Sequence, residues 1–227
     1  MSAFFRVAWI VVKKDLTVEV RSLEILSTTV FFAVTVVLMF SFGLVVEGRA
    51  VQDVAAAILW IAIAFSGTLA LGRTFERERQ NDTLRALLLA PSDRPALYVG
   101  KLAGILLLLG LVEVVLVPLV GLLFNAPIFS HPGRLAALLI MGSVGFCAVG
   151  TLFAAMLVRA RSRDVLLPVM LYPMTVPVMI AGVRGTAALL QATPDLAIAQ
   201  FWMALLGFFD VVFVTLALWT FDPVMTD

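Results

Sequence analysis

Two carboxylates stand where this chain should tolerate them least. Glu113 and Asp210 each lie near the middle of an apolar stretch of about 20 residues, while the other charges keep to the ends of such stretches. Holding an ionisable side chain at a bilayer centre costs roughly 2.5–3.5 kcal/mol on insertion scales, so such a residue points to something polar inside a helix bundle. A buried carboxyl can couple movement to an ion or help line a path. It can equally act as glue, hydrogen-bonding a neighbouring helix. Both uses stay open for Glu113 and for Asp210. Aspartyl proteolysis is disfavoured, because it needs paired aspartates in one site. Here one partner is Glu, and no Gly-rich aspartate motif surrounds Gly207-Phe208-Phe209-Asp210.

Other reactive residue types are sparse. His131 is the only histidine and precedes Pro132 in the turn between two apolar stretches. An exposed histidine can serve as an axial haem ligand, but the turn favours a plain structural role. The single Cys147 lies in an apolar stretch, so no intrachain disulfide, CxxCH haem attachment or cysteine metal motif is available. No metal and no resident cofactor is expected. No GxxxxGK[ST] loop occurs to cradle nucleotide phosphates, so any ATP-derived energy must come from another polypeptide and the chain itself is expected to be non-catalytic. Pro168, Pro173 and Pro177, with Tyr172, mark one apolar stretch as kinked, because proline removes a helical hydrogen bond. Met170, Met174 and Met179 share that stretch. It is a candidate for gating or for lining a path, against the simpler outcome of packing around a kink.

The elements that must position these residues are helices in a membrane. The chain is 62% hydrophobic and 14% charged with a net charge of +1, and its mean hydropathy is +1.09. Soluble domains carry about 25% charged residues, and a near-neutral chain has no electrostatic footprint for nucleic acid. Windows 25–46, 54–72, 102–124, 135–158, 165–183 and 201–221 are each about long enough to span a bilayer as helix. They are long and continuous, without the two-residue alternation of barrel strands. The fold class is therefore all-α: six transmembrane helices in one domain, residues 1–227. If the N-terminus is cytoplasmic, only Arg49, Arg134 and Arg184 of the 16 basic residues fall outside, which places both termini in the cytoplasm.

Residues 1–24 are not a span. Phe5, Trp9, Val12, Leu16, Val20 and Leu23 fall on one helical stripe, and Arg6, Lys13, Thr17 and Glu24 fall opposite. This predicts an amphipathic helix in the inner interface, or else one packed on the bundle. Lys13, Lys14 and Asp15 follow the apolar residues 4–12 with no cleavage pattern, so a signal peptide is not expected. Segment 184–200 is expected to be a short surface helix or re-entrant turn, with Pro194-Asp195 starting the next element. Gly142, Gly145 and Gly150 allow either close helix approach or a dimer face.

The longest inner loop, 73–101, divides in two. Arg73 to Arg79 extends the second span with charges of alternating sign. Asp82 then caps a short helix over 83–89 with Leu84, Leu87 and Leu88 on one face, and Pro91 ends it. Pro95 fits the first turn of the next helix. A leucine-faced helix held at the membrane surface suits a groove on a cytoplasmic partner, or folds back on the protein.

The pattern Glu76-Arg77-Glu78, Asp82, Leu84, Leu87-Leu88, Ala90-Pro91, Leu97, Gly100-Lys101 resembles the coupling segment of type-2 ABC exporter permeases. With Lys14-Asp15-Leu16, Glu19, Arg21-Ser22, Phe40-Ser41-Phe42, Ile58-Leu59-Trp60, Leu69 to Arg73 and Val112-Glu113, the chain is similar along its length to the CcmB family, haem exporter permeases of cytochrome c maturation. The resemblance implies an inner-membrane half-transporter used as a homodimer. It implies a cytoplasmic ATPase (CcmA-like) and haem-handling partners (CcmC-like and CcmD-like proteins and the chaperone CcmE), with haem as cargo or its chaperone release as outcome. Glu76, Arg77, Glu78, Asp82, Leu84, Leu87, Leu88 and Pro91 would then be the ATPase-coupling residues. The tail 221–227 departs from the family pattern and has no assigned role. The alternatives are an exporter of lipid, polysaccharide or drug, a non-conducting scaffold joining an ATPase to a haem-handling partner, and an ion-coupled transporter using Glu113 and Asp210.

Overall fold

The computed structural model describes residues 3–44, 50–80, 94–158, 160 and 162–226, and every long element among them is a helix. In chain order these are α1 Ala3–Ser22, α2 Glu24–Gly43, α3 Ala50–Gln80, α4 Arg94–Leu123, α5 Pro132–Met156, α6 Arg163–Leu190 and α7 Leu196–Thr226, with a single 3₁₀ turn at Ile128–Ser130. Six of them, α2 to α7, are long and apolar enough to cross a membrane. In hydrocarbon the backbone must satisfy its own hydrogen bonds, and a helix does so within one segment.

The ends follow local chemistry. Pro132 occupies the first turn of α5, and Pro95 that of α4, where a missing N–H costs nothing. Asp195 accepts hydrogen bonds from the N–H groups of Ala197 (3.1 Å) and Ile198 (3.0 Å), capping α7. Segment 184–200 is thus neither a separate surface helix nor a re-entrant turn. Residues 184–190 continue α6 and 196–200 open α7, leaving only a short link. Arg184 did not stop α6, because an arginine near a span's end can carry its charge to the interface.

α3 and α5 form the centre. Two-thirds (67%) of the apolar window is buried in each, against 17% in α7. Trp60 of α3, fully buried, explains how three helices come so close. A Cβ at Gly142 (α5) would lie 2.1 Å from its ring, and one at Gly182 (α6) 2.4 Å. The indole N–H donates to Thr186 Oγ1 at 2.9 Å, so the ring's polar atom is satisfied as well. The other α5 glycines also meet this chain's own atoms: Gly145 faces Asp210 and Gly150 faces Leu71. The three glycines therefore serve internal packing, and their lack of side chains is used up without a second copy.

α1 packs lengthwise on the first half of α4. Ala8, Val11 and Val12 are buried there, and Val11 sits where a Cβ at Gly100 would be. The expected apolar stripe is therefore split. Val12 faces the bundle, while Phe5, Trp9, Val20 and Leu23 stay exposed, available to lipid.

Gly142→Val should force a side chain into the Trp60 ring and cost about 1–3 kcal/mol, as overpacking does. The midpoint of denaturant unfolding in bicelles should fall accordingly; an unchanged midpoint would contradict the packing described.

Candidate functional site

The two intramembrane carboxylates flank the same helix. Glu113 of α4 is buried and accepts a hydrogen bond from the Ser143 hydroxyl of α5. Asp210 of α7 lies against Gly145, whose Cβ would be 2.7 Å from Asp210 Oδ1. Residues 143 and 145 are two apart, which on a helix means about 3 Å along the axis and roughly 200° around it. Glu113 and Asp210 thus sit at one depth on opposite faces of α5 and share no site. Asp210 Oδ1 is buried and has no hydrogen-bond partner. Pro118 lies further along α4 on its exposed face.

At the basic end of the bundle, two ion pairs tie helices together. Lys101 of α4 bonds Asp15 of α1 at 2.7 Å, and its side chain is almost wholly buried. Arg163, the first residue of α6, pairs with Glu76 of α3 and donates to the Gly72 carbonyl at 3.2 Å. Arg163 is 6% exposed, and its second terminal nitrogen, Nη1, has no hydrogen-bond partner. Glu76 thus reaches across to α6. Arg77 and Glu78 fall within α3, and Asp82, Leu84, Leu87, Leu88 and Pro91, with the expected docking helix 83–89, lie outside the described residues.

A cavity of about 660 Å³ opens at this same end, floored by α3 and walled by α2, α5 and α6. Its charged margin comprises Arg73, Glu76, Arg163 and Asp164, and Phe32, Phe65 and Tyr172 lie deeper. Those three rings form a chain of edge-to-face contacts, with Phe32–Phe65 at 6.4 Å and Phe65–Tyr172 at 5.9 Å. Thr68 Oγ1 and the Tyr172 hydroxyl are 3.2 Å apart. Of the kink residues, Pro168 and Tyr172 line this cavity, whereas Pro173 and Pro177 face outward. Met174 is exposed too, so the methionines of α6 do not line one common path. His131 is half-buried beside Ser130 at the start of α5. Among the described residues no group of His, Cys, Asp and Glu is arranged to hold a metal ion.

By sequence Arg163 is one of the 13 basic residues at the inner ends of the spans; in the structure it is the buried partner of Glu76. The available signal was a charge opposite in sign to Glu76 at the start of a long apolar helix. Trp60, in the sequence only one of three residues in the Ile58-Leu59-Trp60 stretch, organises the core.

The family model described as "CcmB protein" matches residues 6–225. The chain is 28% identical over 198 residues to "Heme exporter protein B" of Paracoccus denitrificans, covering 86% of this chain and 90% of that protein. It is 27% identical over 200 residues to the Escherichia coli K12 protein of the same name, covering 88% of each chain. With the Pseudomonas aeruginosa protein of that name it shares 27% identity over 175 residues, covering 77% of this chain and 78% of the relative.

Ser143→Ala should leave the Glu113 carboxyl short of a donor and cost about 1–3 kcal/mol of stability. Combined with Glu113→Leu, its effect should fall short of the sum of the two single changes by at least about 0.5 kcal/mol in a double-mutant unfolding cycle. Strict additivity would show that the two side chains do not interact.

Proposed function

Because the chain belongs to the CcmB family, matched across residues 6–225, we propose that it is the membrane permease subunit of a haem export system serving cytochrome c biogenesis. The match over nearly the whole chain is the observation that carries this reading. The name borne by the relatives points to haem and not to polysaccharide, lipid or drug.

The chain acts as one permease unit, multi-pass in the bacterial inner membrane, with its basic end and both termini in the cytoplasm. Thirteen of the 16 basic residues fall on that side, which is what the positive-inside rule favours. It is non-catalytic, and a CcmA-like ATPase supplies the energy. The contact is the leucine face of 83–89, together with Glu76, Arg77, Glu78, Asp82 and Pro91. α3 supports this assignment: at 31 residues it is about 46 Å long, against a hydrocarbon core of about 30 Å. Its end therefore reaches well beyond the apolar layer toward 81–93, and Glu76–Arg163 links that end to α6. A push on the loop reaches α6 through this pair. CcmC-like, CcmD-like and CcmE-like proteins complete the haem-handling assembly, and a second copy of this chain completes the transporter. Glu113 and Asp210, placed on both faces of α5, are suited to sensing how α4 and α7 sit against that helix.

Leu84→Asp and Leu88→Asp should each weaken co-purification with the ATPase about tenfold or more, the scale of losing a buried apolar anchor. The purified wild-type complex should show a haem absorption band. Normal ATPase recovery in both variants would refute the docking assignment. A complex loaded in cells making haem but showing no haem band would refute the cargo.

A further inference from the structure

We propose that the cavity between α2 and α6 is a binding slot for one anionic phospholipid, drawn from the leaflet at the basic end, with its headgroup held by Arg163. The proposal does not depend on the haem or ATPase assignments.

The shape comes first. α2 and α6 both pack on α3 but scarcely touch each other, which leaves a lateral crevice with α3 as its floor. Its volume, about 660 Å³, lies within the range of small-molecule sites, about 300–1,000 Å³. Phe32 and Phe65 on its wall are 39% and 46% exposed, so the slot is open sideways, toward lipid. From Arg163 to Tyr172 is nine residues along α6, or about 13–14 Å. That is close to half of a hydrocarbon core of about 30 Å, the depth of one leaflet.

The ends of the slot differ in the way an amphiphile requires. Arg73, Arg163, Glu76, Asp164 and the Gly72 carbonyl stand at the mouth. Arg163 pairs through Nη2 with Glu76 and lies 3.5 Å through Nε from Asp164, while its Nη1 is buried with no acceptor and is the donor left for a phosphate oxygen. A buried donor without a partner is costly, and a phosphate oxygen is the acceptor best matched to guanidinium geometry. At the deep end the chain of Phe32, Phe65 and Tyr172 joins α2, α3 and α6 and closes the slot. That closure argues against a partner helix, which would need a groove running the full thickness of the membrane. An acyl chain ends in mid-bilayer, as the slot does. A porphyrin carboxylate shares the acid-headed chemistry, and the experiment separates the two.

The test uses the purified full-length chain and native mass spectrometry in detergent, with phosphatidylglycerol or phosphatidylcholine of identical tails added. Wild type should retain one phosphatidylglycerol and release phosphatidylcholine. Arg163→Gln should lower retention about tenfold and erase the headgroup preference. Gly72→Leu leaves Arg163 in place. A Cβ at Gly72 meets nothing within 4 Å, so the new side chain enters open space on the slot wall. It should also lower retention about tenfold, and it keeps the test valid if Arg163→Gln fails to fold. Equal retention of phosphatidylglycerol by wild type and Gly72→Leu would overturn the proposal. So would haemin binding that depends on Gly72 and Arg163 while phosphatidylglycerol is ignored. A dimer that Gly72→Leu dissociates, with no lipid in the wild-type spectrum, would show the slot to be a protein interface and would overturn it as well.

Discussion

Trp60 fills the volume that side chains at Gly142 and Gly182 would need, and this single fit sets the spacing of α3, α5 and α6. In a membrane the hydrophobic effect no longer drives helices together, so close packing and a few satisfied polar contacts must do so. Here both occur at one residue, because the same indole donates to Thr186. The remaining structure hangs on that spacing. With α5 so close to α3 and α6, Ser143 and Gly145 are held at fixed positions opposite Glu113 and Asp210. With α6 docked on α3, the start of α6 brings Arg163 to Glu76.

Charge is then distributed by what each depth permits. At mid-bundle the two carboxyls differ: a hydroxyl donates to Glu113, whereas the buried Oδ1 of Asp210 has no partner. At the basic end, full ion pairs form between helices, Asp15 with Lys101 and Glu76 with Arg163. These pairs are partly or wholly withdrawn from water. Breaking one by removing a single partner strands the other, which makes each pair a determinant of which helices meet.

The helix count was legible from hydropathy alone, because length and apolar continuity are what a bilayer demands of a spanning segment. The bounds were less legible where charge and apolar sequence mix: Arg184 read as a stop, yet α6 runs on to Leu190. α1 was legible as amphipathic, but not which stripe would face the bundle. Helical spacing marks a hydrophobic face without saying whether lipid or protein covers it. The carboxylates announced themselves by being out of place. Their separation by α5 did not, since it depends on which neighbour each helix chooses. Arg163 stayed hidden because a charge at a span's end looks the same whether it faces water or a neighbouring helix.

Leu23 joins α1 to α2 in a left-handed conformation (φ 51°), a state that is strained for a leucine. Glu19 sits beside this joint and accepts the Leu26 N–H at 2.7 Å, while the Leu23 N–H donates to the Glu19 carbonyl. The corner is thus braced from within: bending it would break a charge-assisted bond to the first turn of α2. A braced corner behaves as a bracket rather than a swivel. α1 is also held to α4 by Asp15–Lys101, so a shift of that pair of helices is passed through the corner to α2, and with it to Phe32, whose ring touches Phe65.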